Sequence, residues 1–212
     1  MNNKFEALNS EAEDVSEVDK IDYPLIEVPD GEQRLQYEYG LWFSRRGQGK
    51  QAQSYDQQLK LVGRFASVEQ FWSYYSHISR PSQISGHADF HLFKSGIKPM
   101  WEDSANKNGG KWIVRLRKGL ADRLWENLIL AILGEQFVVG SEICGAVISL
   151  RYQEDIISVW NKNGKDRGTT LRIQDTLRRV LNLPANTIME YKLHTDSLKD
   201  HSSFRNTDFF IK

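Results

Sequence analysis

Short apolar runs dominate this chain, and most of the connections between them are too brief to hold a crossover helix. Parallel strands need a connection of a dozen or more residues, whereas antiparallel strands can be joined by two. Tyr37, Tyr39, Leu41 and Phe43 alternate with other residues, a strand pattern. A polar turn from Ser44 to Ser54 separates them from a second run, Leu59 to Phe65. Phe90–Phe93 and Lys111–Arg117 follow, the latter with one basic face. Gly145–Arg151 and Ile156–Trp160 face each other across Gln153-Glu154-Asp155 as a hairpin. Ile188–His194 and Phe209–Ile211 complete the set.

Three segments break this rhythm with helical spacing. Ser67 caps the first, Gln70 stands at capping-box distance, and Arg80-Pro81 ends it. Phe71, Trp72 and Tyr75 fall on its apolar side. The second spans about Asp122 to Phe137, with Leu124, Trp125, Leu128, Ile129, Ile132 and Leu133 as its stripe. The third starts at Thr169 or Thr170, turns Ile173, Leu177, Val180 and Leu181 inward, and stops before Leu183-Pro184. Many strands with few crossovers and three separate helices predict an α+β domain, an antiparallel sheet with helices on one face.

Charge divides the chain unevenly. Residues 1–22 hold seven acids and two bases, net −5, and too few apolar residues to offset the entropy of ordering. They read as an acidic disordered tail, with the folded domain occupying residues 23–212. That domain carries 26 bases and 21 acids, net +5. This suffices to grip a few phosphates but not to wrap long nucleic acid. A single cysteine, Cys144, excludes an intrachain disulfide and any cysteine-based zinc site, and favours a reducing compartment. No secretory signal or membrane-length apolar run is present. The expected product is a cytoplasmic monomer.

Lys98-Pro99-Met100-Trp101-Glu102-Asp103 opens a polar run ending in Asn108-Gly109-Gly110-Lys111. It reads as an exposed loop presenting an indole beside a carboxylate. Guanine can use both at once: its ring stacks on Trp101, and its N1–H and N2–H₂ donate to Glu102. A second aromatic face would close a sandwich, and Tyr55, in a polar turn before a strand, is the candidate. A methylated guanine is cationic, which strengthens its attraction to such faces. Arg151, Lys111 and Lys199 are candidate phosphate contacts, against the simpler reading of each as a solvated cation.

Other constellations carry less. Gly109-Gly110-Lys111 lacks the leading glycine and following hydroxyl of a phosphate-binding loop. His87 and His91 lack a third ligand, so no metal is expected. Cys144, beside Ile143 and Gly145-Ala146-Val147, reads as an inert core thiol. No nucleophile–base arrangement stands out, and neither an enzyme nor a cofactor is expected. Trp72 reads equally as core or as an exposed anchor for a partner protein.

With these residues assembled, the chain resembles the cap-binding translation initiation factor 4E family from about Tyr37 to His194. The matching pieces are Phe71-Trp72, Gly96-Ile97-Lys98-Pro99-Met100-Trp101-Glu102-Asp103, Gly109-Gly110-Lys111-Trp112, Gly134-Glu135, Cys144-Gly145-Ala146-Val147 and Leu181-Asn182-Leu183-Pro184. The resemblance implies a strongly curved antiparallel sheet of about eight strands with three helices on its convex face. The messenger RNA cap, 7-methylguanosine triphosphate, would lie on the concave side. Tyr55 and Trp101 would sandwich the base, Glu102 read its edge, Trp160 touch the methyl, and Arg151 hold phosphate. Lys111 replaces a family arginine, and a family phosphate lysine is replaced here by Ile156.

Tyr55 and the run Ala66-Ser67-Val68-Glu69-Gln70-Phe71-Trp72 resemble the type 2 branch of that family. The resemblance implies a weaker cap binder that regulates, and in animals represses, translation of selected messages. Alternatives are a general initiation factor that recruits a scaffold, and an interaction module with a vestigial pocket. Val68 and Trp72, with Leu35 of the altered Gln33-Arg34-Leu35 stretch, match the dorsal site for proteins carrying a Tyr-x₄-Leu-hydrophobic helix. Such partners would be the scaffold factor or repressors such as GYF-domain proteins.

Overall fold

The computed structural model describes residues 23–45 and 54–210. The expected tail, residues 1–22, lies outside them, as do residues 46–53 of the polar turn. Eight strands form one sheet: β1 Arg34–Arg45, β2 Leu59–Ser67, β3 Ala88–Lys94, β4 Gly110–Leu116, β5 Ile143–Leu150, β6 Asp155–Asn161, β7 Met189–Leu193 and β8 Asp208–Phe210. Their order is β2-β1-β3-β5-β6-β4-β7-β8, and every neighbouring pair is antiparallel. The sheet curls without closing. The expected hairpin is β5–β6, with Ala146 opposite Val159 and Leu150 opposite Asp155.

Among the described residues five α-helices accompany the sheet: α1 Tyr55–Gln58, α2 Val68–Tyr75, α3 Ala121–Leu133, α4 Arg167–Val180 and α5 His194–Asp200. The three longest are those expected; two short ones are additions. Tyr55 opens α1 rather than sitting in a plain turn. His194 opens α5 rather than ending the strand, and Lys199 lies on the same helix.

Local chemistry explains the shifted boundaries. Helix α3 stops at Leu133, short of the expected Phe137, because Glu135 and Val138 take left-handed conformations, φ 53° and 51°, and turn the chain away. Helix α4 starts ahead of Thr169 because Asp166 is its cap, accepting from the Thr169 backbone N–H at 3.1 Å and from its hydroxyl at 2.7 Å. Ser67 caps α2 as expected and accepts from Gln70 N–H at 3.1 Å, while the Gln70 side chain returns to Ala66 N–H at 2.9 Å.

Alternation along each strand sorts residues between two faces. The helix side takes Tyr39, Leu41, Phe65, Phe90, Leu92, Trp112, Val114, Ile148, Ile157, Val159 and Met189, packed against Phe71, Trp125, Leu128, Ile129, Ile173 and Leu177. Trp112 and Trp125 are sealed there. The opposite face takes Ser44, Asp89, His91, Lys111, Ser149 and Ser158, all buried, beside a small apolar cluster of Phe93, Cys144, Val147 and Trp160. Buried polar groups on the sheet face away from the three long helices, bordered only by the short α1 and α5, are what a recess for a polar ligand requires.

An aromatic cleft with a cationic end

A cavity of about 280 Å³ opens on that polar face. Tyr55, Pro99, Met100, Trp101 and Glu102 line one part; Lys111, Arg151 and Trp160 line another. The sheet thus gathers residues spread over a hundred positions of sequence.

The Trp101 wall is a loop that braces itself. The buried Asp103 carboxylate accepts from the backbone N–H of Lys98 and of Ala105, each at 2.9 Å. Asn106, fully buried, donates through Nδ2 to the carbonyls of Lys98 and Met100, each at 2.8 Å. These bonds fold residues 97–106 around their own backbone and leave Trp101 half-buried and Glu102 exposed. Gly109 closes the loop against the sheet: a Cβ there would stand 1.8 Å from the Asn161 carbonyl oxygen. Only glycine permits that approach.

The Tyr55 wall is held differently. It begins a single helical turn whose Ser54 makes no side-chain cap, and Tyr55 remains 44% exposed. Asp56 links this turn to the opposite wall through Lys98, Nζ to Oδ1 at 3.3 Å.

Trp160 forms the floor. It is only 5% exposed, with Phe93 edge-on at 5.3 Å and the His194 ring at 4.2 Å. Its indole N–H is buried without a hydrogen-bond partner among the described residues. Burial, reinforced by the Lys111 cation, holds His194 well below the usual histidine range, so its imidazole is neutral.

Arg151 is anchored on three sides. Its Nη1 donates to the carbonyls of Leu150 at 2.7 Å and Ala88 at 3.3 Å, and Nη2 pairs with Asp89 at 2.8 Å. Nε–H and the second Nη2–H have no partner among the described residues, which suits a bidentate contact to an anion. Lys111 is buried, its Nζ 5.4 Å from the Trp160 ring centre, 5.9 Å from Trp101 and 4.9 Å from Phe204. Burial, with the cations of Lys192 and Arg151 adding to it, lowers its pKa to about 7.

Lys199 does not join this group. Its side chain is 79% exposed on α5, 3.6 Å from Asp196. Ser203 and Phe204 line the cavity from that part of the chain. Lys192 and Arg115 hold their segment: Lys192 Nζ pairs with Asp200 at 2.7 Å and donates to the Arg205 carbonyl, and Arg115 Nη2 donates to the Phe204 carbonyl at 3.4 Å. Ile156, where the family resemblance expects a lysine, is buried in β6.

Sequence reasoning missed the polar floor. Asp89 braces Arg151, and Ser44 Oγ contacts His91 Nε2 at 3.3 Å. Burial holds His91 at a pKa of about 4, hence neutral. The available signal was Asp89 and His91 alternating with Phe90 and Leu92 in one strand. The dorsal candidates sit on the other side of the molecule. Val68 and Trp72 are exposed on α2, with Trp72 at 39%, whereas Leu35 is half-buried against the core.

Fold and cleft together define a curled antiparallel sheet with an aromatic recess that is cationic at one end. The comparisons with known proteins give that class its family. The family model for eukaryotic initiation factor 4E matches residues 34–209, and the chain belongs to that family. It is 51% identical over 206 residues to eukaryotic translation initiation factor 4E-4 of Caenorhabditis elegans, covering 96% of this chain and 97% of that one. It is 47% identical over 181 residues to initiation factor NCBP of Arabidopsis thaliana, covering 85% and 82%. Among solved structures it is similar to C. elegans eIF4E-3 in complex with the 4E-binding protein Mextli and cap analog, with TM-score 0.75, 37% identity, and 84% and 99% of the two chains covered. Ascaris suum eIF4E-3 with m7G cap is similar at TM-score 0.73 and 36% identity, with 83% and 97% covered.

Proposed function

We propose that this protein binds the 7-methylguanosine cap of messenger RNA in the cleft and regulates translation initiation. One observation carries the reading: Tyr55, Trp101, Glu102, Trp160 and Arg151 line a single cavity. Tyr55 and Trp101 take the cationic base between their rings. Glu102 accepts from its N1–H and N2–H₂. Trp160 meets the methyl group, while Arg151 and Lys111 take the phosphates. Charge-assisted contacts at both ends of the ligand fix its direction.

The protein acts as a type 2 member of the family, in the cytoplasm, with modest affinity and on selected messages. Tyrosine is a weaker cation–π face than tryptophan, and Ile156 supplies no charge. A partner helix with the Tyr-x₄-Leu-hydrophobic pattern docks over Val68 and Trp72, with Leu35 at its margin. Edge contacts of Trp72 with Phe71 at 5.0 Å and Tyr75 at 5.8 Å hold that indole ready. A GYF-domain repressor makes the complex inhibitory, and a scaffold factor makes it an initiation complex. Pull-down with both peptide types, using wild type and Trp72→Ala, separates these outcomes.

Titration of intrinsic tryptophan fluorescence with 7-methyl-GTP and with GTP tests the cap reading. Tighter binding of the methylated nucleotide is expected, and equal affinity overturns it.

A further inference from the structure

We propose that Tyr152, resting on His87, is a stacking platform for the base of the nucleotide attached beyond the cap phosphates. The occupant is capped single-stranded RNA, and the inference rests on the cap reading above.

Position is the first argument. In the β3–β5 pairing Ala88 stands opposite Leu150, so His87 and Arg151 leave the sheet side by side. Arg151 is the cation that faces the phosphates, and Tyr152 is the next residue. On the cap reading, a ribonucleotide attached at those phosphates would leave the cleft along the turn that carries Tyr152.

Exposure and bracing are the second. Tyr152 is 74% exposed, yet its ring is not loose: it lies 4.6 Å from the His87 ring at an angle of 55°. The turn beneath it is closed by Arg151 N–H donating to the Glu154 carbonyl at 3.1 Å. Glu154 is held by Arg115 at 2.6 Å, and Asp155 by Lys118 at 2.5 Å. A lone exposed tyrosine needs no explanation. One fixed against a second ring, next to a phosphate-directed arginine, has the two components of a single-strand site, an aromatic face and a cation.

Charge is the third. The acids around the turn, Asp89, Glu154 and Asp155, are each taken by a base. Arg45 ends β1 opposite Ala88, and Arg117 follows β4 just past the Leu116–Asp155 pair. Both are exposed, and neither has an acidic partner among the described residues. The surface around Tyr152 is thus cationic, as an RNA backbone requires.

The test measures wild type, Tyr152→Ala and Tyr152→Phe against three ligands: 7-methyl-GTP, a capped oligoribonucleotide of about five nucleotides, and its uncapped form. Tyr152→Ala should weaken the capped oligonucleotide by about fivefold or more, the scale of one lost base–aromatic stack. It should leave 7-methyl-GTP affinity unchanged, and Tyr152→Phe should retain wild-type binding of both. Equal affinity of wild type and Tyr152→Ala for the capped oligonucleotide overturns the platform. So does an equal loss for all three ligands, which would place Tyr152 outside any cap-directed path. Failure of wild type to prefer 7-methyl-GTP over GTP is a separate result, which removes the cap reading and the platform with it.

Discussion

The two aromatic walls of the cleft are built to different standards. Trp101 stands on a loop whose buried Asp103 and Asn106 make four hydrogen bonds to its own backbone. Tyr55 stands on one helical turn with no side-chain cap and is 44% exposed. Any freedom a wall retains is given up at the cost of binding energy, and the single turn has fewer side-chain ties than the braced loop. Preorganisation reduces that cost, so the braced wall should dominate selection and the lighter wall should tune affinity.

The first way to break this contrast is to remove the selecting group on the fixed wall. Glu102→Ala deletes two hydrogen bonds to a charged acceptor, and 7-methyl-GTP affinity should fall about a hundredfold. Undiminished retention on immobilised cap would put the pocket elsewhere. Asn106→Ala probes the bracing without touching the ligand. It should lower Tm, at a cost of about 1–3 kcal/mol, by leaving the Met100 carbonyl unpaired; the Lys98 carbonyl keeps the Met100 N–H at 2.7 Å. It should also weaken cap binding about tenfold at temperatures where the variant is folded. Full affinity in that variant would show that the wall needs no internal support.

On the lighter wall, Tyr55→Ala should reduce affinity about tenfold, with a smaller fall in Tm than Asn106→Ala, since one stacking contact is lost with a side chain already 44% exposed. Tyr55→Trp should reverse the sign with a gain of a few-fold. The remaining effect concerns Lys111 and is read through pH. Its pKa of about 7 means that below pH 7 the free protein already carries the charge that a phosphate needs. Above pH 7 a proton must be taken up on binding, so affinity should decline by about fivefold between pH 7 and 8. Lys111→Arg keeps its charge throughout and should flatten that part of the profile; an unchanged slope would assign it to the nucleotide.

The same contrast marks what could be read from sequence. Trp101 and Glu102 were legible because an indole beside a carboxylate in a polar run has few structural uses. By itself Tyr55 reads as a tyrosine tucked against the sheet rim; it was legible only as a second face for Trp101. Asp89 and His91 were not, because polar residues alternating with Phe90 and Leu92 look like an ordinary solvent face; only the curl of the sheet turns that face into a floor. Lys199 reads in the sequence as a cation able to reach phosphate. The α5 turn instead points it at Asp196, while Phe204 comes into the cleft from farther along the chain. Three helices were visible from their stripes, but α1 and α5 are too short to show a period. Asp103 and Asn106 stood in plain view, yet nothing in their spacing says that they would turn inward and tie the loop to itself.

That inward tie has an evolutionary consequence. A recognition segment that supplies its own scaffolding, and meets the sheet at Gly109, can be altered at its tip without rebuilding the domain beneath it. New ligand preferences in such proteins should therefore accumulate by exchange at the two tip positions 101 and 102, while Asp103, Asn106 and Gly109 stay as the hardware that makes the exchange tolerable.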